Sequence, residues 1–396
     1  MFPSSEAKTV PHVSAWCVGT HRVLPPQQTW QRLQPFLSDA GITRVADITR
    51  LDDIGIPVWQ AIRPNSKNLT VSQGKGISHQ LARVSAAMES FELFCAEQPP
   101  LETRSATVAD MAGRLTYAWP DLLVLQQSVL GPDTRLGWAR LEDLRLGLDT
   151  WAPVESIVVD LRMRARWAPP TVHTCSNGLA SGNTLTEATV HALLELMERH
   201  ALSIAHRQGA IWRSAVQAAP GRYGAAAEVL KRCEKAGVVV QVDDVTCDLG
   251  VPTFAARIWS SSVPWWFSGS GAHLDADVAL SRAITEAVQS RLTLIAGAHD
   301  DLPAIRFQAP DPRTPEGCGK DSLSVRTSDE LLAVHGGAPG PHPSPRDLDK
   351  DAEYLLQVAD RHGVTILRAD LTAPSFGIPV VRVIAPGLEF NTKAWA

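Results

Sequence analysis

Residues 176–201, SNGLASGNTLTEATVHALLELMERHA, decide how the rest of the chain is interpreted. The stretch predicts a helix over residues 185–207 in which four polar side chains share an arc of roughly 80°, with apolar residues around the remaining circumference. These four are Glu187, His191, Glu195 and Glu198. Burying several like charges is costly unless cations or strong hydrogen-bond donors meet them, so a divalent metal is the simplest explanation of the stripe.

Two further segments repeat the pattern of a polar stripe on an apolar helix. In SAAMESFELF, Glu89 and Glu92 share one face, and in ALSRAITEAVQSRL, Arg282, Glu286 and Gln289 lie within roughly 60° of one another. If the three stripes converge, they form a pocket of carboxylates, an amide and arginines. Oxygen ligands of this kind suit Mg²⁺, which commonly bridges a protein carboxylate and nucleotide phosphates.

The same residues allow simpler interpretations. One acidic stripe by itself is more often a solvated face or an internal salt bridge, and one histidine such as His191 is more often a hydrogen-bonded core residue than a ligand. The GKG at 74–76 lacks the spacing of a Walker A loop, and SNGLASGN does not match the G-x-G-x-x-G dinucleotide pattern. From spacing alone, an ATP–magnesium site is therefore one hypothesis, and the reaction stays open.

Composition excludes several classes of protein. The chain has 396 residues, 44% hydrophobic and 20% charged, with a formal net charge of −5, so there is no electrostatic case for binding nucleic acid or an anionic membrane. No run of about 18 apolar residues occurs, and the N-terminus lacks the apolar core of a signal peptide. Six cysteines without a C-x-x-C pair read as reduced thiols. We expect a cytoplasmic protein.

The order of predicted elements indicates the fold class. Helices are also predicted over 225–236 and 276–296, residues 71–98 are predicted to form a Gly-rich turn that leads into a long helix, and residues 320–350 are expected to form a surface loop. Strands are predicted at 155–161, 237–245, 253–260, 363–371 and 378–385. Strands and helices mix without a strict βαβ rhythm, an internal repeat or a clear linker, which favours a mixed α/β (α+β) fold.

The stretch at 176–201 closely resembles the signature of the YcaO family, ATP-dependent enzymes that activate peptide backbone amides. The likeness continues, in the same order along the chain, through 19–33, 41–64, 74–98, 279–293 and 371–389. It implies the family's own mixed α/β architecture with an ATP site unrelated to P-loops, in a homodimer. It also implies an N-terminal segment, residues 1–69, packing on a catalytic domain, residues 70–396.

The resemblance implies a site residue by residue. The implied magnesium ligands are Glu89, Glu92, Glu187, Glu195, Glu198 and Glu286. The implied nucleotide contacts are Arg22, Thr29, Lys75, Asn183, Arg199, Arg282 and Gln289. Among these, Arg199, Arg282 and Glu286 resemble the groups that act on the transferring phosphoryl group, whereas Lys75 would serve equally well as a lysine at the entry to a helix.

The chemistry implied by the resemblance is phosphorylation of a backbone amide oxygen in a ribosomally made peptide. A nucleophile adds to the amide carbon, the amide oxygen attacks the γ-phosphate of ATP, and phosphate and ADP leave. Sulfide as nucleophile gives a thioamide, whereas a Cys, Ser or Thr side chain gives an azoline. A catalytically silent scaffold that binds precursor peptide is a third hypothesis, although a degenerate copy should have lost some of the acidic residues.

Two segments favour thioamide formation. GITRVADITRLDDIGIPV and QSRLTLIAGAHDDL look like the TfuA-associated branch of the family, which is linked to thioamidation, and the end PGLEFNTKAWA lacks the Pro-x-Pro-x-Pro tail typical of azoline-forming members. No fused precursor-recognition domain precedes the YcaO-like region, so we expect a separate partner, such as a TfuA-like protein, to recognise peptide or deliver sulfur.

Overall fold

The structure is a computed structural model, and it describes residues 13–16, 18–122, 130–162, 172, 174–209, 214–219, 224–297, 324–336 and 346–391. Cys17, Cys318 and, within the expected loop, residues 320–323 and 337–345 lie outside the described residues. Among the described helices, none combines the length and the apolar character needed to cross a membrane.

Helices and strands alternate along the described chain. The helices are α1 Pro26–Leu33, α2 His79–Glu97, α3 Val108–Met111, α4 Leu185–Arg207, α5 Ala225–Lys235, α6 Ala276–Ile295, α7 Ser328–Ala333 and α8 Leu348–Arg361. The strands are β1 Arg44–Asp47, β2 Val58–Ile62, β3 Val71–Lys75, β4 Thr103–Thr107, β5 Arg135–Asp143, β6 Leu148–Pro153, β7 Leu179–Ser181, β8 Ser214–Gln217, β9 Val239–Asp244, β10 Thr253–Trp259, β11 Phe267–Ala272, β12 Ser324–Thr327, β13 Leu367–Asp370 and β14 Val380–Ile384. The mixed α/β fold class is confirmed.

The described strands form three separate sheets. A three-stranded antiparallel sheet has the order β1-β2-β3, a five-stranded sheet the order β11-β10-β9-β8-β12, and a six-stranded sheet the order β4-β5-β13-β14-β7 with β6 beside β5. Only β8 and β12 pair in parallel within these sheets. β1 and β2 precede residue 69 and β3 follows it, so the first sheet spans the expected boundary between N-terminal segment and catalytic domain.

Each sheet contributes one strand that leads through a short turn into a long helix. These strand–turn–helix units are β3–α2, β7–α4 and β11–α6, and the side chain of the residue before each helix accepts a backbone N–H bond of the first turn. The capping residues are Ser78, Thr184 and Asp275, types that favour this position. In β3 a side chain on Gly74 would collide with the α2 backbone, since a Cβ there would lie 2.0 Å from the Ala86 nitrogen.

The three units carry their polar residues in one register. Counting from the capping residue, position 11 is Glu89 in α2, Glu195 in α4 and Glu286 in α6, and position 14 is Glu92, Glu198 and Gln289 respectively. The strand of each unit ends three residues before its cap, at Lys75, Ser181 and Ala272. The expectation that the chain has no internal repeat concerns residue identity, whereas the correspondence between these three units is one of structural register.

Each of the three helices is surrounded by its own apolar cluster. The apolar faces of α2, α4 and α6 contribute to separate clusters, which include Phe91, Leu193 and Ile284 respectively, each fully buried. Burial on most of the circumference leaves only the stripe of position 11 and position 14 free to face another surface. The fold therefore places the three polar stripes against each other instead of in bulk water.

Several expected elements differ from the structure. Residues 71–75 form strand β3 instead of a Gly-rich turn, because they pair with β2. Residues 155–161 are not a strand, since a 3-10 turn covers Val154–Ser156 and the residues after it have no regular secondary structure. Within the expected loop 320–350, residues 324–333 form β12 and α7, and α8 begins at Leu348. The strands predicted around β9, β10, β13 and β14 are confirmed, and the bounds of α4 are those predicted.

Candidate active site

A cavity of about 620 Å³ lies where α2, α4 and α6 meet, and side chains from all three stripes line it. The walls include all thirteen side chains predicted from the sequence: Arg22, Thr29, Lys75, Glu89, Glu92, Asn183, Glu187, Glu195, Glu198, Arg199, Arg282, Glu286 and Gln289. His191 lies on the same wall. The stripes therefore converge, while the chemical role of each residue stays a prediction.

The position-11 glutamates are the carboxylates most open to the cavity. Glu195 and Glu286 keep 25% and 24% of their side-chain surface exposed, and Glu89 is exposed. Glu195 accepts a hydrogen bond from the backbone N–H of Gly178 at 3.2 Å, whereas Glu89 accepts none from any described residue. One helix from each sheet thus presents one accessible carboxylate to a common space.

The position-14 glutamates instead connect neighbouring units. Glu92 on α2 accepts bonds from the backbone N–H and the hydroxyl of Ser181 at 2.8 and 2.6 Å, at the end of β7. Glu198 on α4 accepts bonds from the Ser270 hydroxyl at 2.6 Å and the Ala272 N–H at 3.0 Å, both on β11. Each of these helices is therefore bonded to the strand of the next unit.

The three strand–turn–helix units are linked in a ring, and contacts between α6 and β3 form the last link. Lys75, the last residue of β3, forms an ion pair with Glu286 at 2.8 Å, and the Thr293 hydroxyl of α6 donates to the Gln73 side chain. Lys75 is therefore occupied by a carboxylate in this structure, in keeping with a residue that closes the ring. A phosphate contact by Lys75 stays a prediction.

Glu187 joins the N-terminal segment to α4. Its two oxygens accept bonds from Arg22 at 3.1 Å, from the Val23 N–H at 2.9 Å, and from the backbone and side-chain nitrogens of Asn183. The side chain is 1% exposed, and Thr29 donates in turn to the Asn183 amide oxygen at 3.1 Å. Glu187 would have to exchange these donors to bind a metal, and its role as a ligand stays a prediction.

The accessible acids are held in an environment that resists ionisation. Burial below the protein surface, followed by the negative charge of Glu92, raises the pKa of Glu89 to about 8, although open cavity space surrounds the side chain. Burial also raises the pKa of Glu92 to about 7 and shifts the pKa of Glu195 upwards. Burial opposes ionisation of Glu286 as well, but Lys75 and then Arg199 outweigh it and hold its pKa below the ordinary value.

Two arginines lie on the wall beside these acids. Burial opposes the charge of Arg199, but Glu198 and Glu195 outweigh it and raise its pKa above the ordinary value. Arg282 lines the cavity from α6, and its buried Nε has no hydrogen-bond partner within the described residues. A buried guanidinium nitrogen without an acceptor is costly, so the arrangement favours an anionic ligand with oxygen acceptors.

The donor set fits a divalent cation and a polyphosphate together. Carboxylate oxygens alone suit Mg²⁺, and Glu89 forms no hydrogen bond or ion pair with the residues described, while the charge of Lys75 only partly offsets the burial that raises its pKa. The arginines on the same wall supply charge for phosphate oxygens. Burial lowers the pKa of His191 well below its ordinary value, and Arg22 and Arg282 lower it further, so its imidazole is neutral and adds no cation.

Sequence reasoning missed the residues that hold the acids in place. Ser181 and Ser270 were not singled out, although their hydroxyls bond to Glu92 and Glu198. Arg382 was also missed, a 3% exposed arginine whose charge acts on Glu195. The common register from the three capping residues would have identified the strand ends as part of the site, but serine and arginine in short strands carry no pattern of their own.

Comparison with known proteins identifies relatives over nearly the whole chain. An uncharacterized protein of Mycobacterium tuberculosis is 37% identical over 380 residues, covering 95% of this chain and 84% of the relative. An uncharacterized protein encoded in the tfuA 3′ region of Rhizobium leguminosarum bv. trifolii is 35% identical over 388 residues, covering 93% of this chain and 89% of the relative.

Solved structures share the fold. A heterocyclase in complex with substrate and cofactor superposes with a TM-score of 0.70 at 21% identity, covering 94% of this chain, and this chain spans about half, 54%, of that longer protein. YcaO from Methanopyrus kandleri, bound with AMPPCP and Mg²⁺, superposes with a TM-score of 0.69 at 22% identity, covering 95% of this chain and 94% of that one.

A family model connects these likenesses to the cavity. The model described as YcaO cyclodehydratase, ATP- and Mg²⁺-binding, matches residues 73–389. The matched region contains β3, all of α2, α4 and α6, and every acidic residue of the three stripes. The chain therefore belongs to the YcaO family.

Proposed function

We propose that this protein uses ATP and Mg²⁺ to phosphorylate a backbone amide oxygen in a ribosomally made peptide or protein, and that it forms a thioamide there. The observation that carries the proposal is the convergence of three acidic stripes and two arginines on one cavity of about 620 Å³. Such a volume suits a nucleotide together with part of a second substrate.

Residues at different positions of the three stripes would have different roles in the reaction. Glu89, Glu195 and Glu286 would hold Mg²⁺, whose bound charge offsets the negative charge that develops on the transferring phosphoryl group. Arg199 and Arg282 would bind phosphate oxygens, and the hydrogen-bonded Glu92 and Glu198 would keep the three helices in register. Positioning and electrostatic stabilisation supply most of the catalysis in phosphoryl transfer, so no covalent enzyme intermediate is needed.

Two observations support thioamide formation with a partner. The relative from the tfuA 3′ region of Rhizobium leguminosarum covers 93% of this chain, and two segments of the sequence resemble the TfuA-associated branch. We therefore propose a TfuA-like protein as the source of sulfur, acting with a homodimer of this chain. The family model is described as a cyclodehydratase, which favours azoline formation as the second candidate.

Nucleotide binding tests the first half of the proposal. Calorimetry with AMPPCP should show binding that requires Mg²⁺, and Arg282→Met should weaken it about tenfold or more, because a charged hydrogen-bond donor to phosphate is lost. The matched control is Arg232→Met, a surface arginine of α5 paired with Glu228. Equal AMPPCP affinity in the presence and absence of Mg²⁺ would contradict the proposal.

Product mass tests the second half. Purified chain, partner, ATP and sulfide are incubated with candidate precursor peptides, and the intact peptide is weighed. Replacement of oxygen by sulfur makes the peptide heavier and indicates a thioamide, whereas loss of one water indicates an azoline. Peptide binding without ATP consumption, with the partner present, would support the catalytically silent scaffold and exclude both enzymatic candidates.

A further inference from the structure

A second, smaller cavity of about 60 Å³ adjoins the nucleotide cavity. The two cavities share Cys175 and Arg199 as wall residues. Most other residues around the small cavity are apolar: Leu122, Val172, Leu196, Val383, Ile384, Ala385, Pro386, Leu388 and Phe390. The polar wall residues are Ser156, Asn177, Arg382 and Glu389, and the Glu389 carboxylate pairs with Arg207 at 3.1 Å. A water needs roughly 10–15 Å³ in this measure, so the space admits an ion or a few waters but neither a nucleotide nor a peptide.

A buried arginine that pairs with no carboxylate of the described residues lines this small cavity. Arg382 on β14 is 3% exposed, its Nε donates to the Ser156 carbonyl at 3.2 Å, and its Nη2 lies 3.9 Å from Cys175 Sγ. Its buried Nη1 has no hydrogen-bond partner, and no carboxylate pairs with the guanidinium in the described part of the chain. A buried cation of this kind is costly unless an anion joins it.

We infer that the small cavity binds the hydrosulfide ion that attacks the activated amide, held by Arg382 and Cys175. Hydrosulfide is small enough for about 60 Å³ and supplies the negative charge that Arg382 lacks. It is a soft, polarisable anion, so walls of aliphatic side chains and a thiol suit it better than they suit a strongly hydrated carboxylate or phosphate.

The location fits the reaction, and the inference rests on the proposed thioamide formation. Cys175 and Arg199 separate the hydrosulfide from the phosphate-binding wall, so the reacting amide would lie between the two cavities. The sulfur adds to the amide carbon, and the amide oxygen attacks the γ-phosphorus and releases ADP. The carbon–oxygen bond then breaks, phosphate leaves with the amide oxygen and takes the sulfur-bound proton, and a carbon–sulfur double bond forms.

Kinetics of two arginine variants test the assignment. Arg382→Met should raise the KM for sodium hydrosulfide about tenfold or more and change the KM for ATP far less, because the charge of Arg382 has only a small influence on Glu195. Arg382→Lys should retain part of the hydrosulfide affinity. Methionine fills the buried space without a charge, so the fold should persist. The matched control is Arg368→Met on neighbouring β13, whose arginine already pairs with Glu142 at 2.7 Å. An unchanged hydrosulfide KM in Arg382→Met would overturn the inference.

A structural measurement separates this inference from the proposed function. Crystals grown with AMPPCP and Mg²⁺ are soaked in sodium hydroselenide, whose selenium is located by anomalous scattering. Selenium beside Arg382 in the wild type, and absent in Arg382→Met, supports the site even if no peptide becomes a thioamide. Thioamide formation without selenium in the small cavity overturns the site and leaves the proposed function standing.

Discussion

Two glutamates of helix α2 show how the same residue type serves opposite purposes. Glu97, near the end of the helix, accepts bonds from Arg63 at 2.9 Å, from Ser66 at 3.0 Å and from the Lys67 N–H at 2.8 Å. Glu89, about two turns earlier, accepts no bond from a described residue and faces other carboxylates across the cavity. Protein groups supply the hydrogen bonds and the positive charge that the Glu97 carboxylate needs. We call such an acid matched, and Glu89 unmatched, because a ligand would have to supply most of its positive charge.

In this molecule a matched acid stabilises the fold, whereas an unmatched acid is available to bind a ligand. A buried acid with complete partners fixes the chain around it, here the segment that leads to Asn68 and Leu69 in the wall of the cavity. An acid such as Glu89, which faces the cavity with a raised pKa and without hydrogen-bond partners among the described residues, resists ionisation in the metal-free protein and favours the binding of a cation. Four predictions follow the contrast from the largest expected effect to the smallest.

Removing the unmatched acid should abolish activity and leave the fold intact. We expect Glu89→Ala to lower ATP turnover about a thousandfold, because a carboxylate that holds Mg²⁺ supports several kcal/mol of charge stabilisation in the transition state. Turnover is measured as phosphate release with partner and peptide present. The matched control is Glu228→Ala, an exposed glutamate of α5. Turnover within threefold of wild type would show that Glu89 does not serve the metal.

Removing the matched acid should have the reverse effect. We expect Glu97→Ala to lower the free energy of unfolding by about 3–5 kcal/mol, because Arg63, itself 4% exposed, is left as a buried charge without its partner. Denaturant unfolding measures the change, and Glu89→Ala in the same assay should cost far less. Equal destabilisation by the two substitutions would remove the distinction between the two glutamates.

Magnesium affinity should depend on pH. Because the pKa of Glu89 is raised to about 8, this carboxyl carries a proton in most of the metal-free protein at neutral pH, and Mg²⁺ must displace that proton. We expect the affinity for Mg²⁺ with AMPPCP to rise up to about tenfold per pH unit between about pH 6 and 8. Calorimetry in buffers of different ionisation enthalpy counts the released protons. A flat profile would place the metal away from Glu89.

The smallest effect concerns the stability of the metal-free protein. A raised pKa means that the folded state holds the Glu89 proton more tightly than the unfolded state. The extra free energy of unfolding that this proton binding supplies is therefore complete below the ordinary glutamate pKa. It is lost as pH rises through about 8. In EDTA we expect Tm to fall with pH across this window by a few degrees more in the wild type than in Glu89→Gln. Added Mg²⁺ should remove most of the difference. Identical Tm profiles would contradict the raised pKa.

Much of the site could be predicted from the sequence because helical spacing is local. The bounds of α4 and the stripe of Glu187, Glu195 and Glu198 follow from apolar periodicity, and the cavity includes each of them. Short strands carry weaker patterns, so β7, with three residues, was not predicted, and residues 71–75 were taken for a turn. The strand predicted at 155–161 failed because β-branched composition does not reveal which segments have pairing partners.

By itself, the sequence determined that three helices are apolar except for one polar stripe each, since side-chain direction on a helix repeats with a fixed local period. Only the tertiary structure decided which acids are matched. Among the described residues, Glu92 and Glu198 accept bonds from strand residues far away in the chain, Glu89 accepts none, and Arg382 is buried without a paired carboxylate. The physical reason is that charge compensation depends on distances between segments that local sequence does not encode, whereas helical periodicity depends only on neighbours along the chain.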